Sequence, residues 1–131
     1  MLAKNRIFRL LSATFLIATA TAAQAVVEEG NFDLGTTGDL YVLCAASEQD
    51  PNFVAATYVC RGFMEGAHQY HDAMTASGKM ERLTCTPEGT TVAEARTVFV
   101  AWGANNKGDT ALMSEAPVVG FIRSLHARFP C

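Results

Sequence analysis

The sequence lacks most of what catalysis and metal binding require. It has no Cys-x-x-Cys or Cys-x-x-His pair, which sets a zinc site aside. It has no glycine-rich phosphate loop, and no Gly-x-Ser-x-Gly surrounds Ser47, Ser77, Ser114 or Ser124. No stretch alternates apolar and polar residues for long, so no strand is expected, and there is neither an internal repeat nor a low-complexity tract. Basic residues are scarce: Lys and Arg number 10 against 13 Asp and Glu, a net charge of −3. An acidic surface repels nucleic acid and anionic lipid, which excludes both as partners and leaves a basic protein open.

The N-terminus has the layout of a secretory signal peptide. Lys4, Arg6 and Arg9 make a basic start, and Leu10 to Ala20 is an apolar run too short to span a bilayer comfortably. Ala23-Gln24-Ala25 then places small residues where signal peptidase reads them. Cleavage is expected after Ala25, and no cysteine stands there to take a lipid anchor. Losing three basic residues shifts the mature balance to −6. Residues 26–35, acidic and glycine-containing, read as a flexible leader, and residues 36–131 suffice for one domain.

Cys44, Cys60, Cys85 and Cys131 all fall in the mature part. An even count in a small exported domain indicates two disulfides and argues against a free cysteine nucleophile. Three connectivities are possible, and sequence alone does not choose among them. Cys44–Cys60 with Cys85–Cys131 is favoured, linking neighbouring helices and tying Cys131 back to a mid-chain loop. The first bond requires the first helix to end near Cys44.

Helical periodicity is strongest from Phe53 to Met74, where Phe53, Ala56, Thr57, Cys60, Phe63, Met64, Ala67, Tyr70, His71 and Met74 form one face. Asp50 is the expected N-cap with Pro51 in the first turn, and Gly78 the expected stop. Gly62 and Gly66, four apart, could admit a second backbone. Before this helix, Thr37 and Asp39 open a shorter one with Leu40, Leu43 and Cys44 inside. After it, Thr91 and Glu94 form a capping box for a helix burying Val92, Ala95, Val98, Phe99 and Trp102. Gly103 to Asp109 reads as a loop. A last helix, capped by Ser114 with Pro117 in its first turn, turns Val118, Phe121, Ile122, Leu125 and Phe129 inward. The expected fold is all-α: a small disulfide-stapled bundle of about four to five helices.

Glu65-x-x-His68, with His71 and Asp72 beside it, is the one pairing with a metal-site flavour. A di-metal carboxylate site needs a matching pair on a facing helix, and none exists. No catalytic residue, metal or cofactor is expected.

The framework Thr37-Gly-Asp-Leu with Cys44, Cys60-Arg-Gly-Phe-Met-Glu-Gly66, Cys85-Thr-Pro and a closing Phe129-Pro-Cys131 resembles the Rap/Tai-type immunity proteins, over residues 36 to 131. Gly62-Phe63 stands where that family more usually has Gly-Tyr. The resemblance implies a periplasmic helical protein that protects bacteria from a cell-wall amidase effector delivered by type VI secretion. It implies inhibition by occluding the enzyme's groove, with the inhibitor a possible homodimer. Asn105, Asn106, Lys107 and Asp109, polar and poor in core residues, are the expected contact loop. Two other roles suit the same scaffold. One is an envelope-associated binding protein without a toxin; the other is an acid-stress chaperone that exposes apolar surface at low pH.

Overall fold

A computed structural model describes residues 25–131. Almost all of the expected signal peptide, residues 1–24, lies outside the described residues. Five α-helices follow a short 3-10 helix, Glu29–Asp33: α1 Thr37–Cys44, α2 Phe53–Ala76, α3 Val92–Asn106, α4 Thr110–Met113 and α5 Pro117–Arg128. No strand occurs among the described residues, and the all-α bundle is the observed architecture.

Both disulfides have the favoured pairing, Cys44–Cys60 and Cys85–Cys131. The geometric condition on the first is met because α1 stops at Cys44. There the Arg96 guanidinium on α3 donates from Nε to the Cys44 carbonyl at 2.7 Å, satisfying an orphan acceptor at the negative end of the helix dipole. The main core gathers Leu40, Cys44, Cys60, Met64, Ala95, Phe99, Phe121 and Leu125, all buried. Phe99 meets Phe121 edge to face at 6.1 Å, which joins α3 to α5.

Several local expectations are corrected. Thr36, not Thr37, caps α1: its hydroxyl accepts from the Asp39 amide at 3.1 Å. Thr37 is buried instead, donating to the Glu115 and Ala116 carbonyls at the entry to α5. α2 begins at Phe53, after a turn in which Asp50 accepts from the Asn52 and Val27 amides. That second bond, with Val27 buried beside Leu43, Ala46 and Ala56, fastens the segment read as a flexible leader onto the body. Polar composition concealed the apolar side chains that matter there, Val27 with Phe32 and Leu34 packed around it. Ser114 closes the short helix α4, and Pro117 starts α5 with Ala116 before it. Gly78, at φ 69°, follows α2 in the left-handed conformation, and Thr91 with Glu94 caps α3, both as expected.

The Asp39 carboxylate closes the α1 capping box. Burial pushes its pKa up, but hydrogen bonds from Asn31, Thr36 and Gly35 outweigh this and hold it below its ordinary 3.8. A carboxylate with a depressed folded pKa stabilises the fold fully above the ordinary value. That contribution is lost as pH falls from 3.8 through the lower folded value. Asp39→Ala is therefore expected to lower Tm by about 4–8 °C near pH 7, for about 1 kcal/mol of cap energy. Calorimetry should find that gap narrowing as pH falls below 3.8.

Candidate functional site

The four residues expected in a contact loop do not form one. α3 continues through Gly103 to Asn106, because Gly103 is where the Tyr41 ring of α1 lies against the helix. A Cβ at Gly103 would overlap Tyr41, coming within 2.8 Å of Cε2, so the glycine serves close packing and not a turn. The site is a corner between α3 and α4. Asn106 donates from Nδ2 to the Trp102 carbonyl at 2.7 Å, and Asp109 accepts from the Ala111 and Leu112 amides at 3.0 and 3.1 Å. The Asp109 amide in turn donates to the Asn106 carbonyl at 2.8 Å. Two of the four residues thus hold the corner together, while Asn105 and Lys107 project from it, exposed. Among the described residues no carboxylate pairs with Lys107.

Two apolar surfaces were not legible as such. Val118, placed inward by periodicity, is exposed at 44%, as is Leu83, with Val119 at 41%. With half-buried Ile122 they line a groove of about 680 Å³ between α5 and the connection from α2 to α3. Its two arginines are already neutralised: Arg123 grips Glu115 at 2.6 and 3.2 Å, and Arg82 reaches Asp72 at 3.5 Å. The second surface is the outer face of α2. Val54, Tyr58 and Tyr70 are exposed along one i, i+4 row that passes through Gly62 and Gly66. Tyr70, which periodicity places on the apolar face, is 64% exposed. A Cβ at either glycine would meet nothing within 4 Å.

The histidines are used structurally. His68 Nε2 lies 3.2 Å from the Thr86 hydroxyl, His71 accepts from the Leu83 amide at 3.1 Å, and His126 Nδ1 lies 2.8 Å from the Leu83 carbonyl. Glu65 is exposed and accepts from Gln69 at 3.2 Å, one turn along the helix. Among the described residues no group of three or more His, Cys, Asp and Glu side chains is arranged to hold a metal ion. No described helix is long and apolar enough to cross a membrane.

Comparison with known proteins places one family on this geometry: the Rap1a immunity proteins, whose profile matches residues 36–131. The matched span runs from the Thr36 cap through both disulfides to Cys131. No curated protein and no solved structure matches.

Proposed function

Because the chain belongs to the Rap1a immunity protein family, we propose that it neutralises a peptidoglycan amidase delivered by type VI secretion. It does so by binding the enzyme and occluding its groove, with no reaction of its own. The action is periplasmic: residues 1–25 direct export and are removed, and residues 36–131 form the inhibitory domain. Two disulfides suit an oxidising compartment outside the cytoplasm.

The α3–α4 corner is the observation that carries this reading. Asn105 and Lys107 stand on backbone fixed by the Asn106 and Asp109 bonds, so little freedom remains to be lost on binding. Lys107 offers an ammonium to a carboxylate beside the enzyme's groove. The test is affinity for a peptidoglycan amidase effector of type VI secretion. Asn105→Ala combined with Lys107→Glu is expected to weaken binding at least about 30-fold, as two central contacts do when lost. Asn106→Ala and Asp109→Ala should chiefly lower stability, since their polar atoms are bonded to the corner's own backbone. Undiminished affinity of the double variant takes the corner out of the interface.

The same reading includes a homodimer, and the outer face of α2 is its surface. Two glycines inside an exposed helix cost about 1 kcal/mol each relative to alanine, and nothing among the described residues uses the space they leave. A second copy of α2 laid across Gly62 and Gly66, with Tyr58 and Tyr70 at its sides, uses it. Gly66→Arg is expected to leave a monomer in sedimentation at micromolar concentration. A dimer that survives this change uses another face. The apolar groove favours a second role, an envelope-associated binding protein, which gains ground if no such amidase binds at all.

A further inference from the structure

Two histidines from different helices hold one residue by its backbone. Leu83 donates its amide hydrogen to His71 Nε2 of α2, and its carbonyl lies 2.8 Å from His126 Nδ1 of α5. An amide only donates and a carbonyl only accepts, so the proton positions follow. His71 is neutral with a lone pair on Nε2, and its hydrogen is on Nδ1, facing Asp72 Oδ1 at 3.4 Å. His126 carries its hydrogen on Nδ1.

We propose that residues 81–84 form a proton-operated flap, held shut by the neutral His71 imidazole and released from α2 when that ring takes up a second proton. The only vacant position for that proton is Nε2, and there it turns an acceptor into a donor aimed at the Leu83 amide. His71 is 3% exposed, so water does not replace the lost bond. His126 keeps its Nδ1 hydrogen in either charge state and goes on holding the Leu83 carbonyl. The flap therefore swings on its α5 side. Its far end is fixed where the Cys85 amide donates to the Phe129 carbonyl at 2.9 Å and Cys85 is joined to Cys131.

The shut state leaves one buried polar group unsatisfied. The Leu83 side chain is already 44% exposed, and the buried Thr84 hydroxyl has no hydrogen-bond partner among the described residues. Opening lets water reach the Thr84 hydroxyl, which offsets part of what the lost bond costs. The charges facing His71 do not cancel that loss. Asp72 favours the imidazolium, but it is shared with His68 at 3.4 Å and with Arg82 at 3.5 Å. Across the groove stand His126, Arg123 and Glu81, with Glu81 the one acidic side chain among the described residues lining it. Because Leu83 forms a wall of the groove, release changes the shape of that surface without unfolding the bundle.

The test uses the whole mature chain with 15N labelling, taken from pH 8 to pH 5. The Leu83 amide is expected to shift with the same midpoint as the His71 ring. Its hydrogen-exchange protection, corrected for intrinsic rate, should fall about tenfold or more, while Phe99 and Leu125 in the core are unmoved. His71→Gln supplies a carbonyl oxygen that accepts without titrating, and it should keep Leu83 protected at pH 5. The natural chain decides the matter if that variant fails to fold. A Leu83 amide that does not respond, midpoints that differ, or protection lost across the whole chain at once each overturns the flap. So does an equal loss of protection at pH 5 in a folded His71→Gln variant.

Discussion

Alanine in place of Gly120 is expected to cost the domain about 3 kcal/mol, a fall in Tm of roughly 12–24 °C. Gly120 lies in α5 where Thr37 crosses it, and an added Cβ would overlap the Thr37 methyl and hydroxyl and come within 2.9 Å of its Cβ. Thr37 has no easy retreat. Its hydroxyl is bonded to the Glu115 and Ala116 carbonyls at 3.0 and 3.1 Å, and its own amide to Glu115 at 2.7 Å. Moving it breaks the seam between α1 and the start of α5. Gly62→Ala is the control, with the opposite sign. That helical site is exposed and open, so the change is expected to raise monomer stability by about 1 kcal/mol. Thermal melts of the two variants side by side separate close packing from intrinsic propensity.

The second large effect is loss of a disulfide, and the two bonds are not equivalent. They close spans of 16 and 46 residues, worth about 3 and about 4 kcal/mol by loop entropy alone. Burial reverses that order. Cys44 and Cys60 are fully buried in the main core, so replacing both by alanine also leaves unfilled volume there, adding on the order of 1–2 kcal/mol. The expected total is about 4–5 kcal/mol, enough to leave much of the chain unfolded near 37 °C. Cys85 and Cys131 are exposed, so mild reductant followed by alkylation should label them well before the buried pair. Labelling in the reverse order would mean that the α1–α2 contact opens more readily than the packing implies.

Much of this architecture could be read from the chain because its helices announce themselves. The Thr91–Glu94 box, the glycine after α2 and the long apolar face of α2 are local signals, and local signals survive folding. The signals that failed were those that tertiary contact overrode. Gly103-Ala-Asn-Asn reads as a break, yet Tyr41 needs a bare backbone at Gly103, and the helix carries on through it. The four glycines of α2, α3 and α5 show the same inversion. Gly62 and Gly66, spaced to suggest a close approach, face open space, while isolated Gly103 and Gly120 are the contact points. Spacing within one helix says which residues share a face, but not what lies opposite. The groove was hidden for a related reason: the apolar face of α5 is wider than the core it covers, leaving Val118 and Val119 outside. Of the expected contact residues, the chain indicated the corner correctly as polar surface. It could not indicate that Asn106 and Asp109 spend their hydrogen bonds on the corner itself.

The pairing of the cysteines has a consequence for how the molecule is made. The two bonds join consecutive cysteines without crossing, first with second and third with fourth. A chain threading out of a pore from its N-terminus delivers Cys44 and Cys60 together, before either wrong mate has emerged. Once they are joined, Cys85 has a single thiol left to wait for. An oxidant acting strictly in order of arrival therefore makes the native set, and no reshuffling catalyst is required.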